Sequence, residues 1–155
     1  YYFSGDGCYK NEEGMFRITG RVDDVLIVSG HNLGTAEIES AIDEHKNVCE
    51  SAIVGYPHNI KGNGICAFII CHHTPSDPLK LNVEINKLIV KHVGPIAKLD
   101  KIQYVVGLPK TRSGKIMRRI LRKIASGETK NLGDTSTLLD PSVVQSIIQG
   151  SINSN

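Results

Sequence analysis

The chain has no tryptophan, and its aromatic residues amount to 5%. No apolar run approaches the roughly 20 residues that a helix needs to cross a bilayer, so a membrane-spanning reading fails. The first residues, Tyr1-Tyr2-Phe3-Ser4-Gly5-Asp6, carry neither a basic start, nor a long apolar stretch, nor an initiator Met. A signal peptide is therefore not expected, and a fragment of a longer protein is. No CxxC pair occurs among Cys8, Cys49, Cys66 and Cys71. That argues against a disulfide framework and for a reducing compartment, the cytoplasm first, with the nucleus or a mitochondrion as alternatives. The net charge of +2 is too small to imply nucleic acid. Aromatics are also missing from the basic run between Lys110 and Lys123, so single-strand stacking lacks support. His72-His73 has no Cys or carboxylate at metal-ligand spacing and reads as surface. Gly114-Lys115 is not a phosphate-binding P-loop, because Pro109 and Ile116 stand where that pattern needs Gly and Ser/Thr.

What is present is the composition of a folded domain, 40% hydrophobic and 22% charged over 155 residues. The opening to about Gly20 reads as strands around a turn at Asn11-Glu12-Glu13-Gly14. Val25-Leu26-Ile27-Val28 is a strand candidate, followed by a loop at Ser29-Gly30-His31. Thr35 has the chemistry of a helix N-cap, and Ile38, Ala41 and Ile42 give that helix one apolar face to about His45. Strands are predicted at 51–56, 65–71 and 102–106, and a helix after Pro78 with Leu81, Ile85, Leu88 and Ile89 on one side. A basic helix is predicted from Ile116 to about Ser126, stopped by Gly127. From Glu128 polar and small residues dominate, and the Ser/Asn end is expected to be partly disordered. Short helices and strands in mixed order, without an internal repeat, predict a small α+β domain.

Three segments could carry chemistry. The first is Pro109-Lys110-Thr111-Arg112-Ser113-Gly114-Lys115 and the helix after it. Ile116, Met117, Ile120, Leu121 and Ile124 recur at helical spacing, while Arg118, Arg119, Arg122 and Lys123 cover the other side. Lys115, on a loop loosened by Ser113-Gly114, could place a point charge beside an anion. A solvated basic face, or a dock for nucleic acid or protein, fits the same composition. The second is Ser4-Gly5-Asp6 with Gly20-Arg21: a carboxylate after a tight turn can accept ribose hydroxyls and an Arg can meet a phosphate, but ordinary turns look alike. The third, Val28-Ser29-Gly30-His31-Asn32-Leu33-Gly34-Thr35, allows close backbone approach by a ligand, or is a plain strand-to-helix connection.

In order, Tyr2-Phe3-Ser4-Gly5-Asp6, Ile18-Thr19-Gly20-Arg21-Val22-Asp23-Asp24, Val28-Ser29-Gly30-His31, Gly34-Thr35-Ala36-Glu37-Ile38-Glu39, Gly55-Tyr56-Pro57-His58 and Leu108-Pro109-Lys110-Thr111-Arg112-Ser113-Gly114-Lys115-Ile116 resemble the acyl- and aryl-CoA synthetase family of adenylate-forming enzymes. Arg118-Arg119-Ile120-Leu121-Arg122-Lys123 and Asn131-Leu132-Gly133-Asp134-Thr135-Ser136-Thr137 are similar to acetyl-CoA synthetases in particular. The resemblance implies the C-terminal part of such an enzyme. Residues 1–23 would close the large nucleotide-binding domain and include the hinge, 24–130 would be the small mobile domain, and 131–155 a C-terminal extension. The mobile domain would hold a short β-hairpin and a mixed sheet of about three strands packed with helices.

The implied reaction joins acetate to the α-phosphate of ATP with Mg2+, giving acetyl-AMP and pyrophosphate, after which coenzyme A displaces AMP. Propionyl- or another short acyl-CoA synthetase would carry nearly the same motifs. By similarity Lys115 bridges carboxylate and nucleotide, Asp6, Arg21 and Asn32 face ATP or AMP, and Asp23 is the hinge. Ser29, Gly30 and His31 meet the pantetheine channel, and Lys91 the coenzyme A phosphate. Relatives carry Arg where Asn32 and Val90 stand here, so two charged donors for thioester formation are replaced. Most of the ATP site and the Mg2+ site would lie in the chain's own N-terminal domain, so the fragment alone is expected to be inactive. A lysine at the Lys115 position is also, by resemblance, a target of a lysine acetyltransferase and deacetylase. No nucleic-acid or membrane partner is implied.

Overall fold

A computed structural model describes residues 6–21 and 24–152. The first element is an antiparallel pair, β1 (Asp6–Lys10) and β2 (Phe16–Arg21), closed by the predicted turn, in which Gly14 takes φ of 84°. Asp23 lies outside the described residues. A second hairpin joins β3 (Val25–Val28) to β4 (His31–Gly34), which runs straight into α1 (Thr35–Asp43).

This hairpin departs from the sequence expectation at two points. The stretch after Gly30 is not a loop: Val28 faces His31 across a two-residue turn, with Ser29 at φ 48° and Gly30 at φ 81°. Positive φ at both turn positions matches the right-handed twist of the strands it joins. Thr35 is not the N-cap either. Gly34, still extended and paired with Val25, occupies that position, and Thr35 is buried as the first helical residue.

The central sheet has the order β5-β6-β7. Strands β5 (Val48–His58) and β6 (Gly62–Cys71) are antiparallel, and β7 (Lys101–Tyr104) runs parallel to β6. The parallel pair needs a crossover. It is supplied by α2 (Pro78–His92), whose first turn holds Pro78 and whose Asp77 Oδ1 accepts the Lys80 N–H at 3.0 Å. Strands β5 and β6 run further towards their shared turn than 51–56 and 65–71 predicted, because ladder pairing extends through Pro57 and His58 to Asn63 and Gly62.

Side chains alternate across this sheet and build two cores. On one face Ile53, Ile65, Ala67 and Ile69 meet Ile38 and Ile42 of α1, Leu81, Ile85 and Ile89 of α2, and the β3–β4 hairpin. On the other, Ala52, Val54, Cys66 and Phe68 meet Ile120, Leu121 and Ile124 of α3 (Arg118–Ala125) and Val144, Ile147 and Ile148 of α4 (Ser142–Ile152). The chain is thus three layers deep, helices covering both faces of a mixed three-stranded sheet, which agrees with the expected α+β class. Helix α4 forms in the polar end of the chain, where the composition predicts no element. Residues 153–155, where disorder is expected, lie outside the described residues.

Candidate functional site

The Lys115 loop is a closed hairpin, tighter than its Ser-Gly content suggests. Thr111 N–H donates to Lys115 O at 2.9 Å, Gly114 N–H to Thr111 O at 2.9 Å, and Met117 N–H to Pro109 O at 2.8 Å. The Thr111 hydroxyl accepts the Lys115 N–H at 3.1 Å, and Gly114 turns the chain at φ 83°. Because Ile116 pairs with Lys110, α3 starts at Arg118 instead of the predicted Ile116. Lys115 itself is exposed.

Two ion pairs fasten this loop and the start of α3, one to the sheet and one to α1. Lys110 Nζ lies 2.8 Å from Glu50 of β5. At the other end, Arg118 Nη2 reaches both oxygens of Glu39 at 2.8 Å. Glu39 also accepts the Ile53 N–H at 2.8 Å, so it satisfies the outer edge of β5 while holding the start of α3. Burial raises the Glu39 carboxyl above its ordinary value, and the bonds from Ile53 and Arg118 offset part of that rise. Arg118 approaches end-on, which leaves its buried Nε without a partner among the described residues.

Between the loop and α3 lies a cleft of about 300 Å³, lined by Asp24, Thr111, Lys115, Arg118, Arg119 and Arg122. Four cations against one carboxylate make it a place for an anion. The basic helix is not simply a solvated face. Arg119 and Lys123 donate to backbone carbonyls of the following segment, Arg119 to Leu132 and Asp134 and Lys123 to Asn131. Those cations are committed within the chain, which counts against a nucleic-acid dock.

The other sequence-named residues fall in three further places. Asp6 and Arg21 are directly opposite each other in the β1–β2 register, a pairing that their separation in sequence conceals. Ser29, Gly30, His31 and Asn32 form the exposed tip of the β3–β4 hairpin, seated on the β5–β6 turn: Ser29 N–H donates to Lys61 O at 3.1 Å and the Asn63 amide to Ile27 O at 2.9 Å. His31 Nδ1 is 3.2 Å from Ser29 O. Lys91 lines an open groove of about 650 Å³ along α2, with Asn86, Lys87, Val90, Lys98 and Leu99. The groove shares no lining residue with the Lys115 cleft. Sequence reasoning misses Lys87 and Lys98, although Lys87 and Lys91 stand one helical turn apart, the spacing that puts both on one face.

A family model described as AMP-binding enzyme C-terminal domain matches residues 37–115. The chain belongs to this family. That AMP-binding C-terminal domain carries Glu39 near the start of the matched segment and Lys115 at its last position. Its sequence is 63% identical over 150 residues to an acetyl-coenzyme A synthetase of Magnetococcus marinus, covering 96% of this chain and 23% of that protein. Among solved structures, an acyl-CoA synthetase of Brucella canis is similar at 35% identity and a TM-score of 0.62, over 77% of this chain and 22% of that one. An anthranilate CoA ligase in complex with anthranoyl-AMP is similar at 32% identity and a TM-score of 0.69, over 79% and 24%. This AMP-binding C-terminal domain spans about a quarter of the length of the curated relatives it matches.

Proposed function

We propose that the chain is the C-terminal portion of an AMP-forming acetyl-CoA synthetase, and that Lys115 serves its adenylation step. The observation that carries the reading is an exposed lysine at the end of a clamped hairpin, above a cleft in which Arg118 and Arg119 are held by hydrogen bonds. The high identity to a protein named acetyl-coenzyme A synthetase supports the choice of acid.

Acetate attacking the α-phosphate of ATP brings two anions together. An ammonium between them offsets the repulsion, and most so in the bond-forming state where charge is shared. Pyrophosphate leaves, and acetyl-AMP stays for the thiol of coenzyme A. Asp6 and Arg21, opposite each other in register, suit the ribose and the phosphate of one nucleotide. After adenylation the domain would turn about Asp23, withdraw Lys115 and present the Ser29-Gly30-His31 tip to the pantetheine. The turn's backbone lies open, with room beside Gly30 for a thiol-bearing chain. Lys91, together with Lys87 and Lys98, would supply the cationic surface for coenzyme A phosphates.

Among the described residues no group of three or more His, Cys, Asp or Glu could hold a metal ion. Mg2+ would arrive with ATP in the N-terminal domain, and the cations of this chain would act on the anions. The cytoplasm is the compartment that suits four free thiols. The exposure of Lys115 also suits reversible acetylation, which would remove the charge; an acetylated enzyme that still adenylates would sink that extension.

The test is carboxylate-dependent ATP–pyrophosphate exchange by the full-length parent. Exchange that prefers acetate and falls by roughly 10²–10³ in Lys115→Ala is expected. Preference for propionate would keep the mechanism and change the acid, and no exchange with any carboxylate would overturn the reading.

A further inference from the structure

The Lys115 loop has a third attachment besides its two ion pairs. Residues 131–139, outside the segment matched by the family model, run back along α3 and finish beside the loop. Leu139 N–H donates to Lys110 O at 2.9 Å, Thr111 and Leu138 form an antiparallel bridge, and Leu138 is buried in the core below. At the other end the segment is held by Arg119, whose Nη1 donates to Leu132 O at 2.6 Å and Nη2 to Asp134 O at 2.7 Å. Lys123 Nζ adds a bond to Asn131 O at 2.5 Å. Both carbonyls held by Arg119 flank Gly133, which turns at φ 75°. A Cβ at this glycine would overlap Arg119 Nη1. The close approach therefore exists only because residue 133 has no side chain.

We propose that residues 131–139 are a brace that sets the position of the Lys115 loop, and that Arg119 is the positioning residue that fastens it. The physical case is one of reach. An ammonium on a four-carbon stem has several rotors of its own. Its tip can be placed reproducibly only if the backbone that carries it is fixed, and misplacement by about 1 Å can cost on the order of 10²-fold in rate. The lysine's strand of the hairpin is bonded to the strand of Lys110 and Thr111, and that strand is bonded on its far side to Leu138 and Leu139. Loosening the brace removes the outer strand and leaves the hairpin on its ion pairs. The inference rests on the reading of Lys115 as the adenylation lysine.

Gly133→Ala tests it without removing any charged group from the cleft. Its Cβ would overlap Nη1, so the guanidinium must shift from the Leu132 carbonyl, and its positive φ disfavours any residue with a side chain. Arg119→Gln is the second variant, which removes the clamp from the other side. In the full-length parent, both variants should lower carboxylate-dependent ATP–pyrophosphate exchange by about tenfold or more. Thioester formation from supplied acetyl-AMP and CoA by Gly133→Ala should stay within about twofold of the parent. Amide hydrogen exchange at Thr111, Gly114 and Met117 should quicken in Gly133→Ala. Unchanged adenylation in Gly133→Ala, or equal losses in both half-reactions, would overturn the brace. If the parent itself shows no exchange with any carboxylate, the functional reading fails on its own. The amide rates then still decide: faster exchange in Gly133→Ala keeps the brace, and unchanged rates reject it.

Discussion

Replacing Arg118 by Met should destabilise the chain far more than loss of a surface cation would. The Glu39 and Arg118 side chains are 14% and 21% exposed, and one nitrogen serves both carboxylate oxygens. Breaking a buried ion pair from one side leaves a charge without its partner, at about 3–5 kcal/mol. Partial exposure and the surviving bond from Ile53 N–H lower that to about 2–3 kcal/mol, a fall of about 5–10 °C in the unfolding midpoint of a chain this long. The pH dependence has a definite sign. Burial already holds the Glu39 carboxyl above its ordinary value in the folded chain, and losing the guanidinium raises it further. A folded state that holds a proton more tightly than the unfolded one has its full stability at low pH and loses it as pH rises through the folded value. The Arg118→Met penalty should therefore be larger at about pH 7 than at about pH 5. Glu39→Gln combined with Arg118→Met should recover at least about half of the loss, since no charge is left stranded. Urea unfolding of the four members of this cycle supplies all three readings. A single-mutant cost below about 0.5 kcal/mol, or a double mutant no better than Arg118→Met, would refute the reasoning.

Three other perturbations have defined outcomes. Gly64→Ala should cost about 1–3 kcal/mol in thermal unfolding, because the added Cβ would meet the Tyr56 ring at 2.6–2.7 Å and its hydroxyl at 2.8 Å, and that ring is buried beneath Lys101. Gly30→Val should strain the two-residue β3–β4 turn at φ 81°, and in the parent it should slow thioester formation from acetyl-AMP while sparing ATP–pyrophosphate exchange. Lys87→Gln with Lys91→Gln should raise the KM for coenzyme A at low ionic strength and flatten its salt dependence, with the KM for ATP unmoved.

Much of this fold can be read from periodicity, and the failures have local causes. Helix α2 is legible because Asp77, Pro78 and the spacing of Leu81, Ile85 and Ile89 agree with one another. Helix α4 is not, although Val144, Ile147 and Ile148 have helical spacing; Ser, Gln and Gly between them match the polar composition of a tail, and only the groove beside β7 turns that weak stripe into a core face. Strand β4 is hidden because its four residues, His-Asn-Leu-Gly, have the composition of a loop and become a strand only by pairing with β3. Lys115 stands out in the sequence, but its setting does not. The partners that fix it, Glu39, Glu50 and Leu138, lie between about 20 and 80 positions away in the chain, and no window along the sequence brings them together.

The alternation of side chains along β5 and β6 has a consequence for how this chain tolerates change. Ile53, Ile65, Ala67 and Ile69 answer to α1 and α2, whereas Ala52, Val54, Cys66 and Phe68 answer to α3 and α4. Substitutions in different layers share few neighbours, so their effects should add, while substitutions within one layer should compensate or aggravate each other. The face beneath the lysine-lined groove can therefore drift, and its binding preferences with it, while the face that carries Lys115 keeps its packing. Epistasis between the two should concentrate where the layers are stitched together, at the Glu39–Arg118 contact around the edge of β5.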